Sequence, residues 1–141
     1  MIMEKDITVR IILEIIGAPK EHIEDALEQT IKKFENEEKI EVVDVKRFES
    51  KQLENKFWSI FAEIEFKSDD IKKVLDVCFD YTPSSIEIIE PAGIELDTGY
   101  LSSLFNDLLA QIHQFVAIIK NLDAERQLLR KEVEELKKQQ T

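Results

Sequence analysis

The first segment of the chain alternates with a period of two. In residues 7–16 (ITVRIILEII), Ile7, Val9, Ile11, Leu13 and Ile15 fall on one face of a strand; Thr8, Arg10, Ile12, Glu14 and Ile16 fall on the other. Gly17 and Pro19 stop it. Residues 20–36 switch to helical spacing, with Ile23, Ala26, Leu27, Ile31 and Phe34 on one stripe. Glu21, Glu24 and Asp25 open this helix and Lys32 and Lys33 close it, the sign order that the helix dipole favours. Residues 40–48 (IEVVDVKRF) predict a second strand, and the polar stretch ESKQLENK a hairpin loop or frayed tip. In residues 57–67 a third strand alternates Trp58, Ile60, Ala62, Ile64 and Phe66 against Phe57, Ser59, Phe61, Glu63 and Glu65. Ser68-Asp69-Asp70 offers an N-cap to a second helix that turns Ile71, Val74, Leu75, Cys78 and Phe79 inward and ends at Pro83. Residues 85–90 (SIEIIE) predict a fourth strand. Pro91 and Gly93 then break the chain before a long helix.

That last helix carries the most specific pattern. Positions 101, 105, 108, 112, 115, 119, 122, 126, 129, 133, 136 and 140 follow a 4-3 spacing without interruption, and ten of these twelve are apolar. A 3.5-residue period sustained this long predicts a left-handed coiled coil. With Phe105, Ile112, Ile119, Arg126 and Val133 at a, the d positions are Leu101, Leu108, Phe115, Leu122, Leu129 and Leu136. β-Branched residues at a with Leu at d favour a parallel two-stranded coil, and Arg126 lowers stability while selecting register and low order. Parallel pairing sets Glu125 against Arg130 and Glu132 against Lys137 of a second copy, whereas antiparallel pairing juxtaposes like charges. Each such exposed pair contributes only about 0.2–1 kcal/mol, so it selects the partner more than it stabilises. In the proximal half, Leu104, Leu109, Val116 and Ile118 widen the stripe through e and g. This predicts further burial there, with Ile12, Ile16, Phe57 and Phe61 on the free sheet face as a candidate interface.

The order β-α-β-β-α-β, then a long helix, resembles the split β-α-β arrangement of ferredoxin-like domains. The resemblance implies an α+β two-layer sandwich, with two helices on one face of a four-stranded antiparallel sheet. It extends over residues 1–97. Residues 98–141 form the coiled-coil helix. The fold class hosts many unrelated functions and assigns none by itself.

Charge divides along the same boundary. Residues 1–97 hold 13 Lys and Arg against 24 Asp and Glu, which accounts for the whole net charge of −11; residues 98–141 hold six of each sign. An acidic head repels nucleic acid and anionic membrane surfaces and favours basic partners. Cys78 is the only cysteine, which excludes an internal disulfide and a thiolate zinc site and fits a reducing compartment. No secretory signal is evident at Met1–Asp6, and no stretch of about 18 apolar residues occurs. The expected location is cytoplasmic.

Candidate chemistry is sparse. His22 and His113, the only histidines, lack metal-site spacing and read as surface residues. Glu63 and Glu65 share a strand face but read as a solvent-facing edge rather than an acid/base pair. Asp69 and Asp70 read as a helix cap rather than metal ligands, and Cys78 as a core thiol rather than a nucleophile. Phe57 and Phe61 resemble the base-stacking aromatics of RNA-recognition domains, without the Gly and basic residues around them. The expectation is a protein–protein interaction or scaffold protein without enzymatic activity, cofactor or metal. It would be homodimerised by the C-terminal coil and bind a protein partner, with no nucleic acid or membrane contact. The alternative rests on Ile16-Gly17-Ala18-Pro19. That loop resembles the effector loop of ACT-like regulatory domains and implies a small-molecule effector near Gly17.

Overall fold

The structure, a computed structural model, describes residues 6–140. The expectation that Met1–Asp6 carries no secretory signal falls, except for Asp6, outside the described residues. Five strands and three helices follow in the order β1 (Ile7–Gly17), α1 (Lys20–Glu35), β2 (Glu41–Arg47), β3 (Lys51–Gln52), β4 (Trp58–Ser68), α2 (Ile71–Tyr81), β5 (Ser85–Glu90) and α3 (Thr98–Gln139). A 3₁₀ turn, Glu54–Lys56, separates β3 from β4. All strand pairs are antiparallel, in the spatial order β2-β4-β1-β5, with the short β3 also pairing with β4. The chain divides into two compact units, one ending at Tyr100 and the other beginning at Leu101.

The first unit is built on the pair β1–β4, which runs in register from Ile7↔Ser68 to Gly17↔Trp58. Alternation puts Ile7, Val9, Ile11 and Leu13 beside Ile60, Ala62, Ile64 and Phe66 on one face, and all eight are buried. Helix α1 lays Ile23, Leu27, Ile31 and Phe34 onto them at helical spacing, and α2 adds Val74 and Val77. Burial of each large side chain contributes about 1.5–3 kcal/mol, so this single cluster is the main source of the head's stability. Phe34 sits at its centre, with its ring edge-on to Phe66 and to Tyr81 at 5.1 Å each.

A register irregularity between Val42 and Asp44 inserts an extra residue into β2. Val42 and Val45 consequently both pack on the core, and Val43 is left 48 % exposed. In α2 the buried stripe runs through Val74 and Val77, with Ile71 and Tyr81 packed beside it, while Leu75, Cys78 and Phe79 are only half-buried. Tyr81 joins this stripe: its ring packs against Phe34 while its hydroxyl donates to Glu37 Oε1 at 2.8 Å.

Gly17 ends β1 beside the first turn of α1. A Cβ at this position would lie 3.1 Å from Ile23 Cγ2. Packing of α1 on the sheet therefore accounts for the glycine. Gly17→Ala is expected to destabilise the head by about 1 kcal/mol, read as a lower urea midpoint. An unchanged midpoint would show that α1 yields at this end.

Candidate interaction surfaces

Helices α1 and α2 cover one face of the sheet and leave the opposite face open. Cross-strand register places its side chains: Arg10 opposite Glu65 and Glu87, Ile12 opposite Glu63 and Ser85, and Glu14 opposite Phe61. On the far side of β4, Asp44 pairs with Glu65 and Lys46 with Glu63. The open face thus has two zones. At one end the Arg10 guanidinium is held by three carboxylates, with Nε 2.9 Å from Glu63, Nη2 3.4 Å from Glu65 and Nη1 3.6 Å from Glu87. At the other end Ile12, Phe48 and Phe61 line a groove of about 340 Å³, bordered by Glu49, Glu63, Lys51 and the backbone turn at Ser84–Ser85. Ser84 closes that turn through its N–H, which donates to the Ile12 carbonyl at 2.8 Å.

Glu63 and Glu65 correct an expectation. They lie on β4, which is flanked by β1 and β2, so they are on a central strand and not at a solvent-facing edge. Both are half-buried and engaged with Arg10. Sequence reasoning missed this cluster because Arg10 and Glu65 are 55 positions apart and meet only through strand pairing. Of the predicted sheet-face residues, Ile12 and Phe61 are half-buried, while Ile16 and Phe57 are 58 % and 47 % exposed. Phe57 stands outside β4, and its N–H donates to the Glu54 carbonyl at the end of the 3₁₀ turn. The polar loop expected at 49–56 is ordered into β3 and that turn, with Asn55 and Lys56 at positive φ.

Two polar latches stand at the head's other loops. Glu37 receives Lys73 Nζ at 2.7 Å and the Tyr81 hydroxyl at 2.8 Å. The Lys73 hydrogen bond, then the Tyr81 one, hold the Glu37 carboxyl below its ordinary value of 4.5. Burial, reinforced by Glu37, pushes the Tyr81 phenol up. A carboxylate held down in the folded state contributes stability that is complete above its unfolded pKa and lost as pH falls through its folded one. The latch is therefore expected to contribute about 1 kcal/mol at neutral pH, fading below about pH 4.5. Between pH 7 and pH 3, the melting point of Glu37→Gln should fall less than that of the parent protein; equal falls would show that the latch is not coupled to folding. The second latch is Asp70, the N-cap of α2, which accepts from the Lys72 N–H at 3.0 Å, from Lys39 Nζ at 3.0 Å and from the Tyr100 hydroxyl at 3.4 Å. Burial would raise the Asp70 carboxyl, but these donors outweigh it and the net shift is downward. Asp69 and Asp70 thus sit at the predicted cap, and among the described residues no group of His, Cys, Asp or Glu could hold a metal ion. His22 and His113 are exposed. Burial raises the half-buried Cys78 thiol, which makes it a poor nucleophile at neutral pH.

The second unit, from Leu101 onward, consists of α3 beyond its first turn. The helix begins at an Asp97 cap, whose carboxylate accepts the Tyr100 N–H at 2.7 Å, and continues through 42 residues without a break. At 1.5 Å per residue that is about 63 Å. The predicted seam positions lie along one face. Within the single chain Leu122, Leu129 and Leu136 are 58–61 % exposed, and Phe105, Ile112, Ile119 and Val133 are exposed as well. Leu101 and Phe115 are exposed at the same d register, and Leu108 is half-buried. Arg126, at its a position, turns back one helical turn to pair with Asp123 at 2.9 Å. Glu125, Arg130, Glu132 and Lys137 flank the seam on the surface.

One protein family matches the chain, over residues 8–139. The chain belongs to the MJ0538 family. The family match runs from β1 of the head to the end of α3. No curated protein and no solved structure matches the chain. Among the described residues, no helix is long and apolar enough to cross a membrane.

Proposed function

We propose that this protein is a non-enzymatic interaction protein, a homodimer in which α3 forms a parallel coiled coil carrying two acidic heads of ferredoxin-like order. The observation that carries the reading is the unbroken 42-residue α3 with its apolar seam exposed in the single chain. A lone helix with such a face is unstable in water, and pairing with an identical helix buries it. The Asp123 contact supports a two-stranded coil, because it compensates the Arg126 charge at the edge of the seam. The sheet order β2-β4-β1-β5, antiparallel throughout, supports the ferredoxin-like reading of the head.

The test combines mass and orientation. Light scattering of the full chain at micromolar concentration should give twice 16.5 kDa. Leu136→Cys in a Cys78→Ser background should cross-link to its own copy under mild oxidation, since parallel d positions face each other. A monomer overturns the dimer, and a dimer that fails to cross-link overturns the parallel arrangement.

A further inference from the structure

We infer that the open sheet face of the head docks a segment of another protein that presents apolar anchors next to lysine or arginine. The inference rests on the reading of the protein as an interaction protein, and adds the site and the chemistry of the partner. The apolar floor formed by Ile12, Phe48 and Phe61 lies on the sheet face opposite the core, where neither α1 nor α2 reaches. Its volume of about 340 Å³ is at the small end of ligand sites, roughly 300–1,000 Å³, and suits a few side chains rather than a folded surface. Exposed Ile16 stands on the same face of β1, separated from Ile12 by the exposed Glu14.

Charge decides the occupant. Directly beside the floor, the strip formed by Asp44, Glu63, Glu65 and Glu87 surrounds one guanidinium, Arg10, and one lysine, Lys46. Glu14 and Glu49 extend the negative border at the groove, where Lys51 adds one cation, so the carboxylates of this face outnumber its cations six to three. A segment with alternating apolar and basic side chains matches both zones at once: anchors in desolvated pockets supply affinity, and complementary charge supplies speed and selectivity. The same field disfavours nucleic acid and anionic lipid.

The test uses the full chain and a short synthetic peptide alternating leucine and lysine, titrated by fluorescence anisotropy at physiological salt. A serine–lysine peptide and a leucine–glutamate peptide serve as controls. Saturable binding is expected for the leucine–lysine peptide, with both controls at least about tenfold weaker. Phe61→Ala and Phe48→Ser should each weaken it by about tenfold. Both residues lie off the core, and an unchanged circular dichroism spectrum excludes unfolding as the cause. Equal binding of the serine–lysine peptide, or full affinity in both variants, overturns the inference, because bulk charge would then account for binding. The light-scattering mass separates the two readings: a dimer without peptide binding removes the groove alone, and a monomer that binds through Phe61 removes the dimer alone.

Discussion

Leu129→Lys together with Leu136→Lys is expected to convert the protein from a particle of twice 16.5 kDa to one of 16.5 kDa. Both residues occupy d positions in the distal half, where flanking e and g residues are charged and the apolar seam is narrow. Truncating a buried leucine costs about 2–5 kcal/mol, and placing a charge in the same layer adds a desolvation penalty. A micromolar dimer has only about 8 kcal/mol of association free energy, so two such layers exceed what it can lose. The isolated distal helix should then fray, and the far-ultraviolet helical signal should drop while the head still unfolds cooperatively. Leu128 provides the control. It is 61 % exposed, as is Leu129, yet it falls at c, outside the seam. Leu128→Lys should therefore leave the dimer intact. If Leu128→Lys dissociates it as completely, or the double variant stays dimeric, the heptad register is wrong.

Phe34→Ala is expected to cause the largest loss of stability of any single substitution in the head, about 3–5 kcal/mol. Phe34 is fully buried at the meeting point of α1, β4 and α2, with two edge-on aromatic neighbours. Each aromatic pair contributes about 0.5–1.5 kcal/mol beyond burial. Against a total of about 5–15 kcal/mol for a domain, the variant should unfold at far lower urea. The slope of the transition should stay the same if only packing has changed. Phe57→Ala, at a half-exposed position outside β4, should shift the midpoint by no more than about 0.5 kcal/mol. Similar losses from the two would show that the core does not centre on Phe34.

The difference between those two phenylalanines also shows where sequence reading reaches its limit. Phe34 was legible, because it completes a helical stripe with Ile23, Leu27 and Ile31. Phe57 was placed on a strand face by alternation, and the 3₁₀ turn that removes it depends on Asn55 and Lys56 at positive φ. For the candidate surface, Ile12 and Phe61 were legible as apolar residues on the polar side of their strands. Phe48 and the Ser84–Ser85 border were not, because they reach the groove only through the pairing of β2 with β4 and β5 with β1.

Periodicity alone determined the four longer strands and three helices in their order, though not the short β3, together with the open and closed faces of β1 and β4 and the unbroken length of α3. Each of these is a local property, read from side chains two to seven positions apart. Tertiary structure decided which strands lie at the centre, the irregularity that exposes Val43, the burial of Val77 rather than Cys78 on α2 and the carboxylates around Arg10. These depend on residues 21 to 77 positions apart, from Asp44 with Glu65 to Arg10 with Glu87, whose meeting is set by strand register and by competition for one core. No local period encodes that competition.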